Sequence, residues 1–540
     1  LYPENNSDRI PVVSISGLSV FGATQGFRNK YFNHTIANNS TWLRGRHGFK
    51  GGVVLAFESK NEFGNLETQG RFIVGAGGGR TAFQNFLTGN RDGLCGTPCI
   101  YAETTTDLYS QLRFNRYEAY VQDTYRPTSR LTVDLGLRYA LYPAVTDADN
   151  VLTNVDLSRY NRSDAPTAAN ATASIFTIGT GNPLNGIIVG GQTSPYGDAV
   201  YKTDKNNIMP RVGLTYDPIG DGKTILRGGY GLYYDQALIG IFLQNAFLNP
   251  PFNASTTLQN ASLSNPAAGV SPTTRGALSL RGTGLPFKTP QTQQWNIGFQ
   301  RQLYRRGAVD IGYVGSRGDN LLRLIDVNQP QPQAVIAAGG AVNPARPYFG
   351  YGVINIVDTS SISRYSGLLS SFRHDAGRAG TLSLAYTFSR NQTDSTNDRD
   401  TIDIPQNPLD LAAEYADART DRRHIFNASY VYELPFFKEA SNALLKAALG
   451  GWQLSGITTV QSGAPIPRVL VSTSGSQRGN RADLIGDPMV GEQAYPMWFN
   501  PSAFGIPALG AYGNSPRSPM RLPGRNQTDL AASKNFYAWG

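Results

Sequence analysis

The feature that most constrains this chain is a two-residue alternation of apolar and polar side chains. In 131–141, Leu131, Val133, Leu135, Leu137, Tyr139 and Leu141 share one side of an extended backbone. Thr132, Asp134, Gly136, Arg138 and Ala140 share the other. Successive side chains of a strand point to opposite faces, so this spacing predicts strands, each with one wet and one apolar side. The same spacing recurs in Val212, Leu214 and Tyr216; in Leu226, Tyr230, Leu232 and Tyr234; and in Trp295, Ile297 and Phe299. It returns in Val309, Ile311 and Tyr313, in Leu382, Leu384, Tyr386 and Phe388, and in Phe426, Ala428, Tyr430 and Tyr432. The polar side is Gly, Ser, Thr, Asn and Gln with scattered charge, as a wet lumen would be. The apolar side suits lipid with aromatic girdles. A half-buried soluble sheet alternates in the same way, so alternation alone leaves the two readings level.

Composition removes other classes. Charged residues make up 16 % of the 540, against about 25 % in ordinary soluble domains. The 59 glycines have no three-residue period, which excludes collagen, and heptads are missing, which excludes coiled coils. No run of apolar residues reaches the length of a helical membrane span. The net charge of +9 is spread along the chain, whereas nucleic-acid binders gather Lys and Arg on one face, so no nucleic-acid partner is expected. The chain opens at Leu1 with no charged n-region or apolar h-region, which predicts a processed product or an internal fragment.

Connection lengths separate the two strand readings. Short links fall at Arg44–Arg46, Arg126–Arg130, Asp217–Lys223, Tyr304–Gly307 and Ala376–Gly380. Long links lie near 77–106, 144–206, 237–290, 317–362, 391–422 and 463–525. One longer link, Pro435–Gly450, falls on the short side, and its apolar spacing predicts a brief helix. Short and long alternate strictly, so every long loop sits at one end. A soluble sandwich has no reason for that asymmetry, and an outer-membrane barrel has periplasmic turns and outer loops of just this kind. The expected fold is therefore all-β: a transmembrane antiparallel β-barrel with short periplasmic turns and long extracellular loops, spanning 1–540, with about fourteen strands counted from Ile10. Because a lipid-facing Arg at the midplane costs about 2–4 kcal/mol, Arg138, Arg211 and Arg227 should face the lumen.

Chemical motifs are few. Cys95 and Cys99 sit in RDGLCGTPC. Zinc wants four ligands and no second pair exists, so a small loop disulfide in an oxidising compartment is the favoured reading. Asp394, Asp398, Asp400 and Asp403 lack the fixed spacing of a calcium hand; a solvated outer loop is the plain reading and a loop-bound calcium ion the alternative. Asp421 and His424 open a strand in DRRHIFNASY. A charge ladder at the barrel mouth is favoured over a catalytic Asp–His pair, since no nucleophile or second acid converges on them. DGKT at 221–224 lacks the leading glycine of a phosphate loop and reads as a hairpin turn. No enzyme activity is expected, and no catalytic, cofactor, metal or ligand-binding residue is assigned.

An ordered set of segments carries a family resemblance. WLRGRHGFKGG (42–52), YVQDTYRPTSRLTVDLGLRY (120–139), LRGGYGLYYD (226–235), TPQTQQWNIGFQRQL (289–303), DIGYVGSRG (310–318), AYTFSRNQTDS (385–395), DRRHIFNASYVYELPF (421–436), GWQLSGITTVQSGAPI (451–466) and WFNPSAF (498–504) resemble the barrel of Oar-like TonB-dependent outer-membrane receptors. These typically carry a carboxypeptidase-regulatory-like domain before a plug. The resemblance implies a 22-stranded barrel, with about six strands before Leu1 and two after Gly540 outside the chain. It also implies uptake of a ligand captured by the outer loops and energised by the TonB complex through a plug absent from this chain. The implied partners are outer-membrane lipid and lipopolysaccharide, an unknown ligand and a surface lipoprotein cap, and the implied location is the bacterial outer membrane. The alternative function is a structural or adhesive surface protein that uses the barrel to display its loops.

Overall fold

The structure, a computed structural model, describes residues 10–534 apart from 23–26, 65–66, 89–98, 105–107, 254, 260, 264–265, 267–273, 398–402, 438–440, 467, 472–479 and 492. Thirteen long strands follow one another as an antiparallel meander. They are β1 (Phe27–Arg44), β2 (His47–Gly64), β3 (Arg116–Thr128), β4 (Leu131–Leu141), β5 (Ile208–Tyr216), β6 (Thr224–Tyr234), β7 (Gln291–Tyr304), β8 (Gly307–Asp326), β9 (Tyr351–Asp375), β10 (Gly380–Thr393), β11 (His424–Glu433), β12 (Trp452–Gln461) and β13 (Arg525–Lys534). Each pairs with its sequence neighbour along the whole run. Four short strands at the outer end complete a seventeen-stranded sheet. Among the described residues no helix is long and apolar enough to cross a membrane.

Short and long connections alternate as the sequence predicts, and the link between β11 and β12 carries the expected helix, Ala443–Leu449. Two strand ends differ from expectation. The segment from Ile10 is not a wall strand: Val12–Ile15 pairs in parallel with Arg71–Val74, in a separate four-stranded sheet built from loops. Its backbone hydrogen bonds are satisfied by the β2–β3 connection, which leaves thirteen wall strands rather than about fourteen. In addition β8 and β9 run on to Asp326 and back to Tyr351, well past the roughly 9–11 residues that cross a bilayer. Their outer halves stand above the lipid, and the connection between them is shorter than expected.

The register puts like side chains in continuous rows. Thr124, Asp134, Gly213, Gly229 and Asn296 are successive partners across five strands, β3 to β7. One residue along, Leu135, Val212, Tyr230, Trp295 and Gly315 are partners across β4 to β8. The second row belongs to the apolar face. Leu135 is 51 % exposed and Ile297 66 %, which protein packing alone leaves unexplained and lipid contact accounts for.

The first row belongs to the lumen face, where charges find partners. Arg138 pairs with Glu118 at 3.2 Å and Arg116 reaches the same carboxylate at 3.6 Å. Thr124 donates to Asp134 at 2.6 Å. Arg227 pairs with Asp310 and donates to Gln300 Oε1 at 3.0 Å. The Arg211 guanidinium lies over the Tyr233 ring, 4.5 Å from its centroid. All three arginines expected in the lumen thus share the polar face.

At the periplasmic end an aromatic belt forms. His47 stacks 4.4 Å from Tyr125, and its Nδ1–H donates to Asp123 Oδ2 at 2.7 Å. Trp42 and Phe49 stack at 5.7 Å, and the Lys534 ammonium lies 5.2 Å above Trp452.

Glycines on the wall have two distinct roles. Trp295 covers Gly315 across the β7–β8 pair, and Tyr430 covers Gly456 across β11–β12 with its hydroxyl 2.7 Å from where a Cβ would stand. Rings laid over glycines restore packing where the strand has no side chain. Gly298 on the lumen face is open, with Ile311 O at 3.8 Å as the nearest neighbour of an added Cβ. Gly315→Ala should therefore lose about 1–3 kcal/mol by overpacking against Trp295, whereas Gly298→Ala should be neutral or slightly stabilising. Urea unfolding of the lipid- or detergent-refolded protein, read by gel mobility, separates the two.

Candidate functional site

The long connections stand at the outer end of the wall and fold into a cap with cores of their own. The connections 142–207 and 235–290 bring Leu152, Val200, Phe242, Ile241 and Phe287 together with Leu324 and Val357 from the tall β8–β9 hairpin. A second cluster joins Val155, Ile187, Leu278 and Leu280 to Tyr351, Ile354 and Ile356. Leu278–Thr283 adds in parallel to the outer half of β9, and Ile175–Thr177 pairs with Thr274–Gly276, so the separate loops are stitched by strands. Asn154 secures the junction, with its amide donating to Val200 O and Thr283 Oγ1 at 3.1 and 3.0 Å.

The connections 394–423 and 462–524 are joined differently, by buried ion pairs. Arg323, fully buried on β8, donates to Asp394 Oδ2 at 2.8 Å; the other oxygen of Asp394 accepts from Ser361 Oγ at 2.6 Å and Ile362 N at 3.0 Å. Arg481 meets Glu414 at 3.2 Å and Arg517 meets Asp403 at 3.0 Å, all four side chains buried. Arg521 bridges Asp417, at 2.6 Å, and Asp421, while Arg390 and Arg423 approach Asp417 at 3.0 and 3.2 Å. Gln406 completes the joint, donating to Gly513 O at 3.1 Å and accepting from Arg481 N at 2.7 Å. Desolvated charges are tolerated only with such partners, so this end of the cap holds one arrangement.

Burial pushes the Asp403 carboxyl up, but the Arg517 guanidinium and the hydrogen bonds from Thr396 outweigh it and hold the group below the usual carboxylate range. At Asp417 burial is likewise outweighed, by hydrogen bonds from Arg390 and Arg521. Both groups are ionised in the folded cap at neutral pH.

Asp394 and Asp403 face arginines inside the cap, and Asp398 and Asp400 lie outside the described residues. Among the described residues no group of three or more His, Cys, Asp or Glu is placed to hold a metal. Asp421 accepts from Asn391 N at 2.6 Å and meets Arg521, whereas His424 meets the Tyr386 hydroxyl at 2.7 Å. The two side chains serve different partners and make no dyad; the Asp421 end is the charge ladder at the mouth. The bridge expected between Cys95 and Cys99 falls at Cys95 outside the described residues, and no disulfide is present among the described ones. Asp217, at the head of the expected hairpin turn, accepts from Gly220 N and Gly222 N at 2.7 and 2.8 Å. Arg323, Glu414, Arg481, Arg517 and Arg521 were not foreseen. Their partners lie far along the chain, and an isolated loop arginine carries no local signal.

A sheet with one lipid-facing and one polar face, short turns at one end and a folded cap at the other defines a transmembrane β-barrel wall of the bacterial outer membrane. The chain belongs to the outer membrane beta barrel domain family, whose model matches residues 2–540. No curated protein matches it. Among solved structures it is similar to the outer membrane transporter YddB from Escherichia coli (9 % identity, TM-score 0.45, 88 % of this chain and 50 % of that one). It is also similar to the copper transporter OprC (9 %, 0.43, 98 % and 52 %) and to the ferric citrate transporter FecA in its unliganded form (10 %, 0.42, 95 % and 48 %). The chain spans about half the length of these structures. Its family membership rests on the family match and not on these likenesses.

Two outcomes test the cap. Arg323→Ala strands the Asp394 carboxylate in a dry site and should cost about 3–5 kcal/mol, with Arg323→Met/Asp394→Leu recovering most of it; proteolysis of the outer connections measures both. A carboxyl held low in the folded state stabilises above its unfolded pKa of about 4, and that contribution is lost as pH falls through the lower folded value. Protease resistance of the cap should therefore be flat from pH 7 to about 4 and fall below it, and Asp403→Asn should already be weak at pH 7.

Proposed function

We propose that the chain is the barrel portion of an Oar-like TonB-dependent receptor. The cap captures a ligand, the polar wall passes it, and the TonB complex supplies energy through a plug that belongs to the complete protein. On this reading the plug, the regulatory-like domain and the remaining strands are encoded outside residues 1–540. The observation that carries the proposal is the union of a rigid outer cap with a hydrogen-bonded polar wall. Display alone needs no wall of paired Arg138–Glu118 and Arg227–Asp310 beneath it. Rigid placement of recognition groups suits capture, because little ordering is left to oppose binding. A surface lipoprotein closing the cap and lipopolysaccharide around its flank complete the proposed setting.

Display or adhesion is the second reading, and one observation favours it. The connection 462–524 presents Tyr495 at 99 %, Ile506 at 74 % and Ile485 at 69 % exposure, and exposed apolar side chains in number mark interaction surfaces. A pull-down distinguishes the two. The full-length protein in detergent should capture a soluble periplasmic fragment of TonB and lose it when the sequence preceding the barrel is deleted. No capture by the full-length protein contradicts the receptor reading and leaves display.

A further inference from the structure

At the periplasmic end of the lumen face the wall forms a pocket of about 340 Å³, lined by Lys223, Arg305, Arg306 and Arg373 with Gln300, Gln302 and Asp375. Two turns and a strand build it. Lys223 closes the β5–β6 turn, Arg305 and Arg306 form the β7–β8 turn, and Arg373 lies on β9 beside Ala308. The turns are held by their own bonds: Gln302 Nε2 donates to Arg305 O at 3.1 Å, Gln302 N to Lys223 O at 2.8 Å, and Asp375 N to Arg306 O at 2.9 Å. The one carboxylate present, Asp375, is engaged by Gly377 N at 2.7 Å.

Further up the lumen, Arg138, Arg116 and Arg227 each face a carboxylate. Among the described residues, none of the four cations of the pocket makes an ion pair. Four like charges converging on one concavity repel one another, whereas Arg116, Arg138 and Arg227 are each neutralised by a carboxylate. Four cations against the single Asp375 carboxylate leave the concavity net positive, and an anion from outside stabilises it.

We propose that this pocket is a binding site for a small phosphate-bearing solute at the periplasmic exit of the lumen. Guanidinium groups hold phosphate oxygens bidentately and lysine adds a point charge, and rings of Arg and Lys select anions in pores. The volume lies at the lower end of the roughly 300–1,000 Å³ of small-molecule sites, which fits one or two phosphate groups and not a polypeptide. The site does not depend on TonB coupling, because its occupancy is read at equilibrium.

The test is calorimetric titration of inorganic pyrophosphate into the refolded chain in detergent at low salt. Saturable binding that weakens with added chloride is expected. The variant Lys223→Gln/Arg305→Gln/Arg306→Gln/Arg373→Gln should bind at least tenfold more weakly. Arg44→Gln/Arg46→Gln/Arg126→Gln/Arg130→Gln, which removes equal charge from the other turns, should bind as the parent does. Intact gel mobility of both variants shows that they fold. No saturable binding by the parent, or equal loss in both variants, overturns the proposal.

Discussion

Everything in this structure depends on one constraint: in lipid, each backbone N–H and C=O must find its partner within the protein. The meander from β1 to β13 meets it for the strands between, each paired on both sides with its sequence neighbours, while β1 and β13 are paired on one side among the described residues. Once the pairing is set, period-two geometry fixes the rest. A slip of one residue would turn Arg138, Arg211 and Arg227 to the lipid and Leu135, Val212 and Leu226 to water. The apolar row and the polar row are one decision, made thirteen times in register.

That decision also explains why function collects at the two ends. The wall admits little variation, since each position is committed to lipid or lumen. Outside the hydrocarbon layer the chain is free to vary. There the connections build a cap around Phe242, Ile354 and the buried pairs Arg323–Asp394 and Arg517–Asp403. At the opposite end the turns are short and their arginines lie close to the lumen exit. Charge is thus handled in three ways: paired inside the cap, paired along the wall, and unpaired at the periplasmic pocket.

The wall was legible in the sequence because its signal is local. Alternation is read within a few residues, and the rhythm of short and long connections follows from the spacing of the alternating segments. The cap was not legible because its bonds are remote. Nothing near Arg517 announces Asp403, and nothing near Val12 shows that it will pair with Arg71 instead of joining the wall. Asp421 and His424 show the same limit at close range. They are three positions apart in sequence, yet a loop-to-strand transition turns one into the cap and the other to the lipid-facing ring of Tyr386. Sequence proximity there suggested a chemistry that the backbone direction forbids.

The facing of the wall can be measured directly. Single cysteines placed at each position from 133 to 139 of β4, in a background with Cys95 and Cys99 replaced by serine, carry a fluorophore in vesicles containing brominated lipid. Quenching is expected at 133, 135, 137 and 139 and access to aqueous iodide at 134, 136 and 138. Uniform quenching, uniform iodide access or the opposite phase would contradict a membrane wall with a polar lumen face.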